Sequence, residues 1–384
     1  MKALKSNNML KIIFIIFIFL NIHIFGNDME FISEGNHIIP LESSNISIKK
    51  ERIELKKLDD YDMSVKVEFV FSSDEAGRKM IGFITPNDEY FDDKPPYDPE
   101  NIKNFKTKVN GKEVKIKTEK MSTFIKKAHF SPNDKNNYLE NYKEAYAYYF
   151  EADFKKGENV VEHSYTYCGI IYSMNEREYG YVLTTISRWK DKKVDDFEIT
   201  VDMGDEFFIL PYTFWKDERP VNWEIVGEGR KVMKKNRYPY DGVENYHGNA
   251  YFKMKKGYVK FSAKNFSPDR EFRAVIPSRG YVGADEVIDG HIFSDRLMKI
   301  GWNLDFRHPE AIAEAEKLTD FELEIIKNFP FAVHGYEFSR KDLKDYFSKF
   351  FWYYPKGKAD VSGYEYETRT RIINEILEKR KKRK

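Results

Sequence analysis

Between about residue 28 and residue 277 the apolar positions recur mostly at every second residue. Met63, Val65, Val67, Phe69 and Phe71 alternate with Ser64, Lys66, Glu68 and Val70, which turns one face of an extended segment toward a core. Asn110-Gly111 separates 106–109 from 112–117. Both central residues of a type I′ turn need positive φ, and this dipeptide supplies them, so a two-residue hairpin is predicted. Residues 148–154 and 160–167 flank Lys155-Lys156-Gly157-Glu158-Asn159 and read as a second hairpin around a glycine turn. Further strands are expected at 196–201 and 258–263 and a short helix at 136–147. Many short strands between turn signals specify an antiparallel β-sandwich-like domain over 28–277.

After about residue 290 the period lengthens to that of a helix. Pro309 opens 310–317, a run of good helix formers. Thr319 with Glu322, Ser339 with Asp342 and Ser362 with Glu365 have the spacing of capping boxes. Each precedes apolar residues at helical spacing: Phe321 and Ile325, then Leu343, Phe347 and Phe350, then Ile372, Ile373, Ile376 and Leu377. A small helical domain is predicted over 316–380, with 278–315 as a linker holding a short helix. The fold class is therefore α+β, a sandwich-like domain followed by a helical one. Gly335 follows a helical run containing Pro330, Phe331 and Ala332, where a C′ residue with positive φ belongs. His334 beside it has two readings, a group that interacts with the free carbonyls of the last turn or a ligand contact.

The first 26 residues fit neither pattern. Lys2, Lys5 and Lys11 are followed by the apolar run 12–20, its extension 22–25 and then Gly26. That is the three-part layout of a secretory signal peptide cut after Gly26. An uncleaved anchor competes with it, but a membrane-spanning helix needs about 20 apolar residues and Asn21 and His23 interrupt this run. No transmembrane segment is expected after cleavage, and the mature chain is expected outside the cytoplasm, periplasmic or secreted. The single cysteine, Cys168, allows no internal disulfide, so burial alone has to hold the exported fold.

Lys plus Arg total 64 against 63 for Asp plus Glu, a balance that signals no nucleic-acid partner. The leader removes three lysines, and residues 379–384 are all basic. The mature body is thus mildly acidic with one concentrated basic end. That end reads either as a solvated terminus or as an electrostatic contact for anionic surfaces.

Candidate chemistry is sparse. No two of the eight histidines have the i, i+4 spacing of a helical zinc site. His163 and Glu162 are neighbours on a strand and point to opposite faces, which excludes a local dyad. The acidic loop 86–100 lacks the alternation and glycine of a calcium loop. Cys168 has no activating base beside it, and no GxSxG elbow occurs. No cofactor, metal or local catalytic constellation is therefore expected. The run Phe350-Phe351-Trp352-Tyr353-Tyr354-Pro355 is different, because one element can bury only one face of it. Tyr353 or Tyr354 is expected to stay partly exposed beside Lys356 and Lys358, as a contact for an anionic or sugar-bearing polymer. In the alternative all five aromatics pack between the last helices.

The string Phe331-Ala332-Val333-His334-Gly335, with Lys327-Asn328 before it and Tyr336, Phe338, Leu343, Tyr346-Phe347 and Trp352-Tyr353 after it, resembles the YARHG domain of bacterial secreted proteins. Phe331 and Val333 stand where that pattern has tyrosine and arginine, so no role of the arginine carries over. Phe154-Lys155-Lys156-Gly157-Glu158, Val161-Glu162-His163-Ser164-Tyr165, Leu183-Thr184-Thr185 with Trp189-Lys190, Phe197 to Val201, and Asn265-Phe266-Ser267-Pro268 resemble a bacterial secreted domain-of-unknown-function family. The resemblances imply an extracytoplasmic two-module protein and bring no known activity. The leading expectation is a non-enzymatic envelope protein that binds or scaffolds, its partner an unidentified envelope polymer or protein. The alternative is an envelope-acting hydrolase whose site is assembled from residues distant in sequence.

Overall fold

The computed structural model describes residues 37–40, 45–59, 61–84, 102–120, 123–124, 146–171, 177–235, 248–277, 296–359, 361 and 364–382. The leader, the acidic loop 86–100 and the proposed helix up to residue 145 lie outside them. Tyr146 and Ala147, expected as the end of that helix, begin a strand instead.

Four strands form a small sheet: His37–Pro40 (β1), Gly77–Ile84 (β4), Lys117–Lys120 (β7) and Tyr146–Phe154 (β8), in the order β1-β4-β8-β7. The large sheet contains Ile46–Lys57 (β2), Asp62–Ser73 (β3), Ile102–Val109 (β5), Lys112–Glu113 (β6), Gly157–Cys168 (β9), Ile170–Ile171 (β10), Arg177–Tyr181 (β11), Val194–Asp202 (β12), Phe207–Pro211 (β13), Glu224–Lys234 (β14), Asn249–Phe266 (β15) and Phe272–Ile276 (β16). Its order is β10-β11-β16-β13-β15-β12-β2-β3-β9-β5-β6, with β14 also paired to β15. Neighbours run antiparallel except β12 and β2, which are parallel.

The small sheet lies on the β3–β9–β5 part of the large one, and aromatic rings fill the space between them. Phe71 meets Phe154, Phe105 meets Tyr148, and Phe150 meets His163. The β3 face with Met63, Val65, Val67, Phe69 and Phe71 is buried, as its alternation predicted. Asn110 and Gly111 both have positive φ, 50° and 77°, and join β5 to β6 as a type I′ turn. The second predicted hairpin is not one. β8 pairs with β4 and β7, whereas β9 pairs with β3 and β5, so the turn at Gly157 carries the chain from one sheet to the other. Asn159 fixes this crossing: its side chain accepts from the Lys155 N–H and donates to the Lys155 and Gly157 carbonyls.

β12 and β13 hold one continuous register along β15, from Val194↔Phe266 to Pro211↔Asn249. Gly204, with φ of 71°, interrupts them at a corner, and beyond it the outer neighbour changes from β2 to β16. Past the corner the sheet is buried on both faces. Phe208, Leu210, Phe252 and Ala274 join the sandwich core, while Phe207, Ile209, Tyr251 and Val275 join a second core made with the helices.

Those helices are Arg296–Asp305 (α1), Pro309–Ala315 (α2), Asp320–Val333 (α3), Lys341–Phe347 (α4) and Tyr364–Lys381 (α5). Among the described residues the helical packing includes 296–315, which was expected as linker, because Leu297, Ile300, Leu304, Ala311 and Ala315 are all buried in the second core. Thr319 and Glu322 form the predicted capping box on α3. Ser339 does not cap α4. Arg340 occupies that position without a side-chain cap and instead pairs with Asp342 at 2.8 Å. Arg369 of α5 and Asp305 of α1 form a buried two-pronged ion pair. Arg380 reaches Asp320 at 2.6 Å and the Glu316 carbonyl at 2.8 Å, so the basic end is tied at Arg380 to the start of α3. Among the described residues no helix is long and apolar enough to cross a membrane.

Candidate functional site

The sequence-predicted contact residues converge where α3 ends. Helix α3 closes in a Schellman arrangement: the Gly335 N–H donates to the Ala332 carbonyl and the Tyr336 N–H to the Phe331 carbonyl, both at 2.9 Å. Gly335 has φ of 75°, and His334, half-buried, is the C-cap residue before it. The Gly335 carbonyl then accepts from the Lys356 N–H at 2.7 Å, and the Glu337 N–H donates to the Gly357 carbonyl at 2.7 Å. This pairing lays 354–357 beside 335–337. A Cβ on Gly335 would sit 2.8 Å from the Tyr354 carbonyl oxygen, so the glycine is required by space as well as by φ.

Tyr353 and Tyr354 have opposite fates. Tyr353 is 1 % exposed and its hydroxyl donates to the Tyr336 carbonyl at 2.8 Å. It packs with Phe338 and Phe347 as core. Phe350, Phe351 and Trp352 are buried with it. Tyr354 is half-buried and lies over the β14–β15 ribbon. Its hydroxyl donates to Glu228 at 2.9 Å. The Arg230 guanidinium stands 5.1 Å and the Lys255 ammonium 5.8 Å from its ring centroid, within the range where a ring face attracts a cation.

The surrounding surface is basic. Arg230, Lys255, Lys256, Lys356 and Lys358 are exposed, against Asp205, Glu228 and Glu337. The acids are engaged: Glu228 with Lys255 at 3.1 Å, Asp205 with the Lys356 ammonium, and Glu337 with Lys344 at 3.9 Å. The hydrogen bonds from Lys255 and then Tyr354 hold the Glu228 carboxyl below its usual range. The corner at Gly204 is what presents Asp205 to both Lys253 and Lys356. Arg230 and Lys255 were not anticipated as site residues; no local pattern joins them to Tyr354, which is 126 residues from Glu228.

The other candidates fall elsewhere. His163 is buried in the sandwich, its Nδ1 2.8 Å from the Thr107 hydroxyl, and burial lowers its pKa to about 3. Cys168 is half-buried with its thiol toward the Gly169 carbonyl. Among the described residues no three His, Cys, Asp or Glu side chains are grouped as a metal site. A concavity of about 420 Å³ along α5 is lined by Glu367, Thr370, Arg371, Asn374, Glu375 and Glu378, all from one face of one helix.

The YARHG domain matches residues 306–370, and a domain of unknown function, DUF4424, matches 26–129. The chain thus carries a C-terminal YARHG domain preceded by a DUF4424 domain. A Legionella pneumophila protein provisionally described as nutrient binding shares 18% identity and a TM-score of 0.56, over 90% of this chain and 99% of that one. At that identity the likeness is one of fold. An M1 zinc metallopeptidase from Deinococcus radiodurans reaches 7% identity and a TM-score of 0.25, covering 61% of this chain and 42% of that one. A protein provisionally described as a protease from Parabacteroides distasonis reaches 8% and 0.29, over 88% and 60%. No curated protein matches the chain.

Proposed function

We propose that this protein is an exported, non-enzymatic binding protein of the bacterial cell envelope, and that its contact surface is the basic and aromatic patch around Tyr354. The observation that carries the reading is Tyr354 itself, a half-buried ring from the helical module flanked by Arg230 and Lys255 of the sheet. A partner bearing negative charge can bond the cations and lie against the ring, in the manner favoured at recognition surfaces. The leader-like N-terminus, the YARHG domain and the description of the Legionella protein support an extracytoplasmic binding role. The test uses immobilised dextran sulfate and polyglutamate, with neutral dextran as control. Wild-type protein should be retained on both polyanions and pass through dextran. Tyr354→Ala with Arg230→Ala should lose most of the retention while keeping its melting temperature. Equal retention by a folded double variant would refute the site.

A further inference from the structure

Strand β14 is a sheet edge. Among the described residues it pairs with β15 and with no other strand, and no backbone hydrogen bond links 225–234 to anything else. Its register shifts between Glu228 and Gly229, and from Gly229↔Met254 to Lys234↔Asn249 the ladder is regular. Every second residue of that regular stretch turns its N–H and C=O away from β15. Successive side chains go to opposite faces, and both faces are anchored. Val232 packs against the helical core and Met233 against the sandwich core. The edge is thus held in place before any partner arrives, which is what a template for a further strand requires.

Charge decides which strand fits. The stretch 229–234 carries Arg230, Lys231 and Lys234 and no acidic residue. Arg230 and Lys234 share the face of Val232, and Lys231 shares that of Met233. Arg230 and Lys231 are exposed and Lys234 is half-buried. Glu228, the nearest acid along the strand, is already engaged by Lys255 at 3.1 Å and by the Tyr354 hydroxyl at 2.9 Å. A second copy of β14 would set cation against cation across the new ladder, which is destabilising. A neutral strand would satisfy the main chain and leave the cations without partners. An acidic strand satisfies both.

From this edge and its charge we infer that β14 takes up an extended acidic segment of another polypeptide as an added antiparallel strand along 229–234. Main-chain hydrogen bonds supply the attachment, and the side chains set the preference. Acids fall opposite Lys234, Lys231 and Arg230, and apolar residues opposite Met233 and Val232. The edge adjoins the proposed Tyr354 surface at Arg230 without depending on the tyrosine ring, so either can fail alone.

The probe is a capped, labelled peptide of sequence Thr-Glu-Val-Val-Glu-Glu-Thr, titrated against the full chain by fluorescence anisotropy and followed by amide hydrogen exchange. It should bind saturably and slow the exchange of amides within 229–234 at least tenfold. Two changes should each weaken binding at least tenfold. One is N-methylation of every peptide amide, which keeps the charge and removes the donors. The other is Lys231→Glu with Lys234→Glu, at an unchanged melting temperature. Tyr354→Ala should keep the amide protection, because the ring supplies no group to the edge. Equal affinity for the N-methylated peptide would reveal a charge contact alone and overturn strand addition. A dimer that forms through this edge and excludes the peptide would give the edge to a second copy and overturn it as well.

Discussion

Replacing Glu51 by glutamine should stabilise the protein, and increasingly so as pH rises. Glu51 lies on β2 with Phe69 and Phe197 as its cross-strand neighbours, and it is 2 % exposed. Its Oε1 is 3.5 Å from the Tyr181 hydroxyl, and its Oε2 has no partner. Burial raises its pKa from 4.5 to about 8, only partly opposed by the Tyr181 contact. The carboxyl is therefore held protonated in the fold and ionises freely in the unfolded chain. Stability from this group is fully present below pH 4.5 and is lost as pH climbs through 8. Each pKa unit is worth about 1.4 kcal/mol, so between pH 5 and 9 the loss comes to about 4 kcal/mol. Glutamine keeps the shape and removes the ionisation. Urea denaturation at pH 5, 7 and 9 should show the gap between variant and wild type widening by about that amount. His163 is common to both proteins and cancels in the comparison. A gap that stays constant from pH 5 to 9 would refute the claim that Glu51 is buried and neutral.

Gly335→Ala should cost about 1 kcal/mol or more in thermal or urea unfolding, from positive φ and from the contact with Tyr354. Asp305→Ala leaves the Arg369 guanidinium buried and unpaired, and should cost about 3–5 kcal/mol. Asp305→Leu with Arg369→Met should recover most of that loss in the same denaturation assay. A chain ending at residue 277 uncovers Phe207, Ile209, Tyr251 and Val275. At roughly 1.5–3 kcal/mol for each buried apolar side chain, it should bind an apolar dye strongly and self-associate in sedimentation. A monomeric, dye-silent fragment would show that the helices are not part of its core.

Legibility in the sequence followed the physics of exposure. β3 could be read because one face is buried and the other wet, so its pattern has period two. β13 and the first half of β15 hid themselves for the opposite reason. Phe207-Phe208-Ile209-Leu210 is buried on both faces, and a continuous apolar run carries no periodic signal. The Gly157 turn was visible, but turn residues cannot say whether the flanking strands pair with each other or with different sheets. Thr319 capped as its spacing predicted, whereas at Ser339 the nearby Arg340 engaged Asp342 instead. At the candidate site Tyr354, Lys356 and Gly335 were readable locally. Arg230 and Lys255 were not, because only tertiary pairing of the β14–β15 ribbon brings them to the tyrosine ring.

Binding to authentic envelope material tests the proposed role most directly. Purified protein lacking residues 1–26 is mixed with isolated bacterial envelopes and sedimented across a salt series, beside Arg230→Glu with Lys255→Glu. Both substitutions fall at exposed positions of the ribbon, so each variant is first checked for an unchanged melting temperature. Wild-type protein should pellet with the envelopes at low salt and be released as salt rises, because screening weakens exposed charge contacts. The charge-reversed protein should stay in the supernatant throughout. Equal pelleting of the two folded proteins at every salt concentration would contradict a contact surface centred on Tyr354.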